Sequence, residues 1–439
     1  MEAQRKTLTQ LFVPICFETL FLMLTGMVDT LMLSSVSDNA VGAVGTANTY
    51  IGVFIIMFSV ISTGMMTVMT QNIGAGRIGV AYQARQLGLA FNAVMGILMS
   101  VFLSVFAGSI LHLVGVAPAL MEPAAVYLRI VGGGCILPAL IPIFSGYLRA
   151  FGFTKQSLAA SIVGNLTNFA LNAFFLFVVG WGVRGVAIAT VISRVVNLLL
   201  VVFMAHLLVH AKESPERMAN RKVFGQIVKV GLPSACESAL YNIAMTLVIR
   251  FMNQMDAEGI NVTARSYTMQ IANFSYCVGA ALAQANAIMT GWRIGAKDFP
   301  ACEKGTRKAA IIGVITAACV ETTFALSANV LVGFFTDDPQ MIALVGKLLF
   351  VDIVLEMGRV TNLVYGQALK TSGDAIFPVV LGVTFMFLCA VGGTWLFGMK
   401  LQLYAVGAYI GMAGDECVRA IGMMLRWKSG RWKTKRLVE

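Results

Sequence analysis

Eight acidic side chains (Glu18, Asp29, Glu237, Glu321, Asp352, Glu356, Asp415, Glu416) and seven basic ones (Arg129, Arg194, Arg250, Arg265, Lys347, Arg359, Arg419) fall inside long stretches that are otherwise apolar. An ionisable group in such a stretch costs about 2.5–3.5 kcal/mol on membrane-insertion scales. Each therefore asks for a use: holding a cation, carrying a proton or closing an ion pair. Arg129, Arg265, Lys347 and Arg419 lie near the ends of their stretches, where a long side chain can carry its charge to the interface.

Glu18 and Asp29 are eleven residues apart, three helical turns, so one helix presents both on the same side. Pro14, just before them, frees a backbone carbonyl. Burial disfavours the charged carboxylate, so such an acid is neutralised by a proton or by Na⁺. Asn165, Asn168 and Asn172 share one face of another stretch, since spacings of three and four bring side chains together. Carboxamide oxygens can coordinate Na⁺ or hold a water beside a carboxylate, and Asp29, Asn168 and Asn172 make a possible Na⁺ site. Hydrogen bonding between helices explains the asparagines equally well. Further along, Asp352, Glu356 and Arg359 follow i, i+4, i+7 spacing, so Arg359 can neutralise one carboxylate and leave the other free, or close a structural ion pair. Glu237 repeats Glu18 after the same Pro-x-x-x interval, and the two form a pseudosymmetric pair of acids.

The elements that position these residues are membrane helices. The chain of 439 residues is 58% hydrophobic and 12% charged, against about 25% charged in a soluble domain. Apolar runs of about 20 residues follow one another from end to end. Twelve spans are read, over 9–34, 45–70, 85–111, 122–147, 157–180, 184–210, 227–253, 264–291, 305–332, 340–368, 376–398 and 402–426. The first is a retained span, since no small-residue cleavage pattern follows it. Gly132–Gly134 with Pro138 and Pro142 makes the fourth span a place to bend. Met23, Met27, Met57, Met65, Met245 and Met269 suit the lining of an adaptable cleft or plain packing.

The sequence is written twice. Ile73-Gly74-Ala75 returns at Ile294-Gly295-Ala296, Leu148-Arg149 at Leu369-Lys370, and Pro14…Glu18 at Pro233…Glu237, 219 to 221 positions on. The fold class is therefore an all-α integral membrane protein of twelve helices in two six-helix bundles, related by a pseudo-twofold axis along the membrane normal. The parts are an N-terminal lobe, residues 1–210, a cytoplasmic linker, 211–226, and a C-terminal lobe, 227–439. Lys and Arg crowd the loops assigned to one side, among them Arg5, Lys212, Arg217, Arg221 and Lys222, while the opposite loops carry Asp38, Glu122, Asp256, Glu258, Asp337 and Asp338. That asymmetry places both termini in the cytoplasm of a plasma-membrane protein, the inner membrane in a two-membrane cell. It also accounts for the net charge of +11 without a nucleic-acid partner. Eight scattered cysteines and three histidines supply neither a metal cage nor a disulfide framework.

Val28-Asp29-Thr30 followed by Ala40–Gly45, Gln71 to Arg77, Leu148–Gly152, and Asn168-x-x-x-Asn172 leading to Gly185–Thr190 together resemble the multidrug and toxic compound extrusion (MATE) transporters along the whole chain. The resemblance implies antiport: a cationic or amphipathic organic compound leaves while Na⁺ or H⁺ enters. It places Asp29, Asn168 and Asn172 where the family's N-lobe cation site lies, and sets Glu237 and Glu356 about one turn from acids of the C-lobe. Glu356-Met357-Gly358-Arg359 is similar to a separate bacterial branch.

The expected protein is thus a monomeric transporter, not an enzyme, that works by alternating access of a cleft between its halves. It needs no cofactor beyond the coupling ion, and no GxxxxGK[ST] nucleotide loop is present. Its rivals are a lipid-linked oligosaccharide flippase, which wants a cationic cleft, and a membrane subunit of a proton-pumping complex, which wants a lysine chain through mid-membrane.

Overall fold

The structure is a computed structural model that describes residues 6–210 and 216–438. Arg5, Lys212 and Pro215 lie outside the described residues, as does the start of the expected linker. Among the described residues the chain is helical, with no strand. The first half contains α1 (Leu8–Ser34), α2 (Asp38–Gly74), α3 (Ile78–Leu113), α4 (Pro118–Gly133), α5 (Ile136–Ala150), α6 (Thr154–Ala173) and α7 (Gly182–Leu208). The second contains α8 (Asn220–Asn253), α9 (Ile260–Gly295), α10 (Phe299–Leu326), α11 (Ala328–Gly333), α12 (Pro339–Thr371), α13 (Ile376–Phe385) and α14 (Tyr404–Lys428).

These helices follow the order of the expected spans. α4 and α5 are one span bent by 44° at Gly134–Cys135, where the glycines allow it. α6 and α13 are prolonged by π-helical turns over Phe174–Val178, Met386–Val391 and Thr394–Lys400. By length and apolarity, eight helices among the described residues can cross a membrane, and the bent pair makes a ninth. The three long helices that fall short, α9, α12 and α14, carry most of the ionisable side chains found within the spans of the second half. Several helices outrun the expected spans: α2 begins at Asp38 rather than 45 and α3 at Ile78 rather than 85. Hydropathy marks only the lipid-crossing part of a helix, and a capped polar turn continues it: Ser37 accepts from Ala40 N at 3.1 Å at the start of α2.

Two compact units divide at Leu232–Pro233, inside α8. The first turns of α8 belong to the first unit because they are packed there. Gln83 Nε2 donates to the Asn220 side chain and, at 2.6 Å, to Met218 O, and Phe224 meets Phe91 with ring centroids 5.6 Å apart. In the first unit α6 packs on α1 and α7, and α3 on α2, α4 and α5; in the second, α12 packs on α9, α10 and α14.

The repeat is visible in the turns. The loop after α2 passes through Gly76 at φ 80°, and the loop after α9 through Lys297 at φ 60°, 221 residues later. A left-handed residue there lets the helix close on itself, which glycine does without steric cost.

Candidate functional site

In the first unit α1 and α6 bring Asp29, Asn168 and Asn172 together. Val28, Met32 and Leu33 on α1 share an apolar cluster with Ala173 at the end of α6 and Leu176 just beyond it, which presses the two helices together along this stretch. Asn172 Nδ2 donates to Asp29 Oδ1 at 2.9 Å and to Asn168 Oδ1 at 3.1 Å. Turned over, the Asn168 carboxamide donates to both Asp29 oxygens at 3.1 Å. In that orientation the amide nitrogens of Asn168 and Asn172 both serve the Asp29 carboxylate. Asn172 Oδ1 is buried and makes no hydrogen bond, so a further oxygen is available to a cation. Asn168 and Asn172 are buried and Asp29 half-buried.

Glu18 and Asn165 do not join this group. Glu18 is taken by Arg149 at the end of α5, whose Nη2 donates to its Oε1 at 2.7 Å, with Ser157 Oγ at 3.4 Å. Three turns along one helix separate the two acids by more than a shared ligand can bridge. Asn165 donates only to Ser161 Oγ, at 3.4 Å. A common face on α6 did not ensure a common site, because α1 meets α6 with an acid at Ser157 and at the Asn168–Asn172 turn and not at Asn165 between them.

The second unit carries a half-open cavity of about 530 Å³ lined from α8, α9, α12, α13 and α14. Glu237 lies on its wall and accepts from Lys370 Nζ at 2.6 Å. On α12, Arg359 pairs with Glu356 and reaches Glu416 of α14 through Nε at 3.3 Å. Asn362 Nδ2 donates to the other Glu416 oxygen at 3.0 Å. Arg419 Nη2 binds Asp415 at 2.7 Å and Glu416 at 2.9 Å. Asp352 lines the same cavity and makes no hydrogen bond or ion pair. Low local dielectric makes such a network strong where it is complete and costly where it is not. Met245 and Met269 also line the cavity, whereas Met65 is wholly buried in the core of the first unit.

Arg265 and Arg419, expected to run to the interface, are buried among helices, and both line the cavity. α14 supplies Asp415, Glu416 and Arg419, none of which was assigned to a site; their i, i+1, i+4 spacing in an apolar run was the available signal. Glu321 of α10 is wholly buried with both carboxylate oxygens unpaired. The ends of α9 and α14 are tied by Asn261, which accepts from Ala405 N at 2.9 Å. Asp256, in the preceding loop, is hardly buried, so the upward push on its carboxyl is outweighed by hydrogen bonds from the Asn261 side chain and the Asn261 and Ile260 amides, which hold it below the usual range. Among the described residues no three His, Cys, Asp or Glu side chains could together hold a metal ion.

The MatE family model matches residues 14–174 and again 233–396, so the two matches start 219 residues apart, as the internal repeat does. The uncharacterized transporter YisQ of Bacillus subtilis is 33% identical over 96% of this chain and 94% of its own length. The probable multidrug resistance protein NorM of Thermotoga maritima is 26% identical over 98% and 94%. Among solved structures, MATE in the bent conformation superimposes with a TM-score of 0.89 at 20% identity, covering 98% of this chain and 96% of the other. A MOP superfamily transporter from Pyrococcus furiosus, described as having a binding pocket of reverse polarity, gives 0.87 at 20% identity, covering 98% and 97%. At these identities the structural matches establish the fold.

Proposed function

The chain belongs to the MatE family, a multi-pass membrane transporter and not an enzyme, and on that premise we propose that it exports cationic or amphipathic organic compounds in exchange for Na⁺ or H⁺. The observation that carries this reading is the Asp29 carboxylate of α1 clasped by the amides of Asn168 and Asn172 on α6. Names of relatives such as the probable multidrug resistance protein NorM support efflux as the direction.

The coupling follows from one acid serving two positive charges. Ionised Asp29 draws its hydrogen bonds from the amides. Entry of Na⁺, or of a proton, removes the negative charge, and the Asn168 oxygen turns inward. A bound organic cation loses its counter-charge at the same moment and dissociates. Each ligand favours the state that the other leaves, so uptake of the ion drives export through alternating access. Both termini lie in the cytoplasm in this scheme, and the chain works as a monomer.

The test is efflux of a fluorescent organic cation from vesicles carrying the protein, with Na⁺ and pH gradients imposed one at a time. One gradient drives efflux in the wild type. Asp29→Asn brings efflux to the level of protein-free vesicles while the protein remains folded in the membrane. Undiminished efflux by Asp29→Asn overturns the role of Asp29, and efflux indifferent to both gradients overturns antiport.

A further inference from the structure

The cavity of the second unit carries balanced charge on its wall: Glu237, Asp352, Asp415 and Glu416 against Arg265, Arg359, Lys370 and Arg419. Most of these neutralise one another. Lys370 holds Glu237, Arg419 holds Asp415 and Glu416, and Arg359 is shared by Glu416 and Glu356. Two groups are left over. Arg265, only 8% exposed, makes no hydrogen bond or ion pair among the described residues, and its Nε is buried without a partner. Asp352, 2% exposed, likewise has none, and Arg359, the guanidinium within electrostatic reach of it, is already committed to two other acids. Both line the cavity.

A buried guanidinium and a buried carboxylate without partners are each costly, and water alone does not replace a counter-ion. The wall is also soft and aromatic, with Met245, Met269, Met386, Tyr241, Tyr276 and Tyr409. Such a surface accepts an apolar body of variable shape.

We propose that this cavity binds zwitterionic amphiphiles, with the ligand's carboxylate on Arg265 and its ammonium on Asp352. A simple organic cation satisfies Asp352 and leaves Arg265 bare; an anion does the reverse. Only a ligand with both charges completes the wall. This deepens the transport reading by naming a substrate class for the second lobe, and it rests on that reading for its physiological meaning, although the binding itself does not.

Three probes with one fluorophore separate the possibilities: Nε-dansyl-lysine (zwitterion), its methyl ester (cation) and dansyl-6-aminohexanoate (anion). Binding to the purified full-length protein is read from dansyl emission, with no ion gradient. Completing a charge-assisted contact is worth about a factor of ten in affinity, so the wild type binds the zwitterion about tenfold more tightly than either single-charge probe. Arg265→Gln removes that advantage over the ester and leaves the ester's own affinity within about twofold. Asp352→Asn removes the advantage over the anion. An ester that binds the wild type as tightly as the zwitterion overturns the inference, and so does an Arg265→Gln protein that loses both equally. Should either variant not be recovered folded, the ranking of the three probes on the wild type decides. A correct ranking with no gradient-driven efflux sinks antiport alone; efflux with the wrong ranking sinks the zwitterion site alone.

Discussion

The two halves of this chain hold the same ion pair and different sites. Glu18–Arg149 in the first unit (2.7 Å) and Glu237–Lys370 in the second (2.6 Å) are counterparts, 219 and 221 residues apart. At the sites, each half has apolar or featureless residues where the other has chemistry. The counterpart of Asp29 is Val248, wholly buried, and those of Asn168 and Asn172 are Cys389 and Gly393. Conversely, Asp352, Glu356 and Arg359 correspond to Val131, Cys135 and Pro138. The span there is broken at Gly134–Cys135 in the first unit and continuous through α12 in the second. What duplication left alike is the clasp between a unit's first helix and the end of its fourth span, a structural need of each six-helix bundle. What it let diverge is ligand chemistry, with a small acid–amide site in one unit and a large mixed-charge cavity in the other.

The comparison breaks first at Arg359. If the second unit's network is one linked cluster, removing Arg359 strands Glu356 in the interior and leaves Glu416 to Arg419 and Asn362. Arg359→Met then lowers stability by about 3–5 kcal/mol, the range for unpairing a buried ion. Glu356→Gln with Arg359→Met costs less than Arg359→Met alone, because one stranded charge goes with it. Thermal unfolding in detergent, followed by intrinsic Trp fluorescence, checks the order. A double variant less stable than the single one refutes the cluster.

The clasps come next, and they sharpen the claim of likeness. Glu18→Gln and Glu237→Gln each destabilise by about 2–3 kcal/mol, the cost of removing the counter-charge from a mostly buried cation. Double-mutant cycles with Arg149→Met and Lys370→Met give coupling energies that agree within about 1 kcal/mol between the two halves. A coupling present in one half and absent from the other shows that the pairs are not equivalent.

Much of this layout was readable before any coordinates. The run of spans, the two copies, the bend at Gly132–Gly134 and the shared face of Asn168 and Asn172 all follow from hydropathy, internal comparison and helical spacing. What escaped is which helix meets which face. Arg149 and Lys370 lie at span ends in basic loops, where orientation in the membrane already accounted for them. Arg265 and Arg419 lie equally near span ends, yet tertiary packing turns them inward, since their positions allow either the interface or a neighbouring helix. Glu18 and Asp29 share a side of α1 and still serve different partners, because the start of α6 and Arg149 at the end of α5 meet Glu18, and the end of α6 meets Asp29.

A gentler probe of the repeat is the turn after α2 and α9. Lys297 adopts φ 60° where its counterpart is Gly76. A non-glycine residue there is held by its surroundings against its own preference, at about 1 kcal/mol. Lys297→Gly therefore raises stability slightly, by up to about 1 kcal/mol after the entropy of the unfolded chain is counted. Gly76→Ala lowers it by a similar amount. Equal and opposite shifts in unfolding temperature support the equivalence of the turns.

A last comparison lies within α6 itself, and it separates a site from a shared helix face. Asn165, Asn168 and Asn172 are indistinguishable by spacing, yet only the last two contact Asp29. Asn172→Ala removes the shortest hydrogen bond to that acid and an oxygen available to the ion, and lowers gradient-driven efflux by about tenfold or more, the value of one charge-assisted bond. Asn165→Ala loses a long contact to Ser161 on its own helix and changes efflux by less than about twofold. Initial rates from vesicles with matched protein content compare the two directly. Equal losses for both variants assign the whole asparagine face to the ion path and enlarge the site by one helical turn; a loss confined to Asn172 fixes its edge between Asn165 and Asn168.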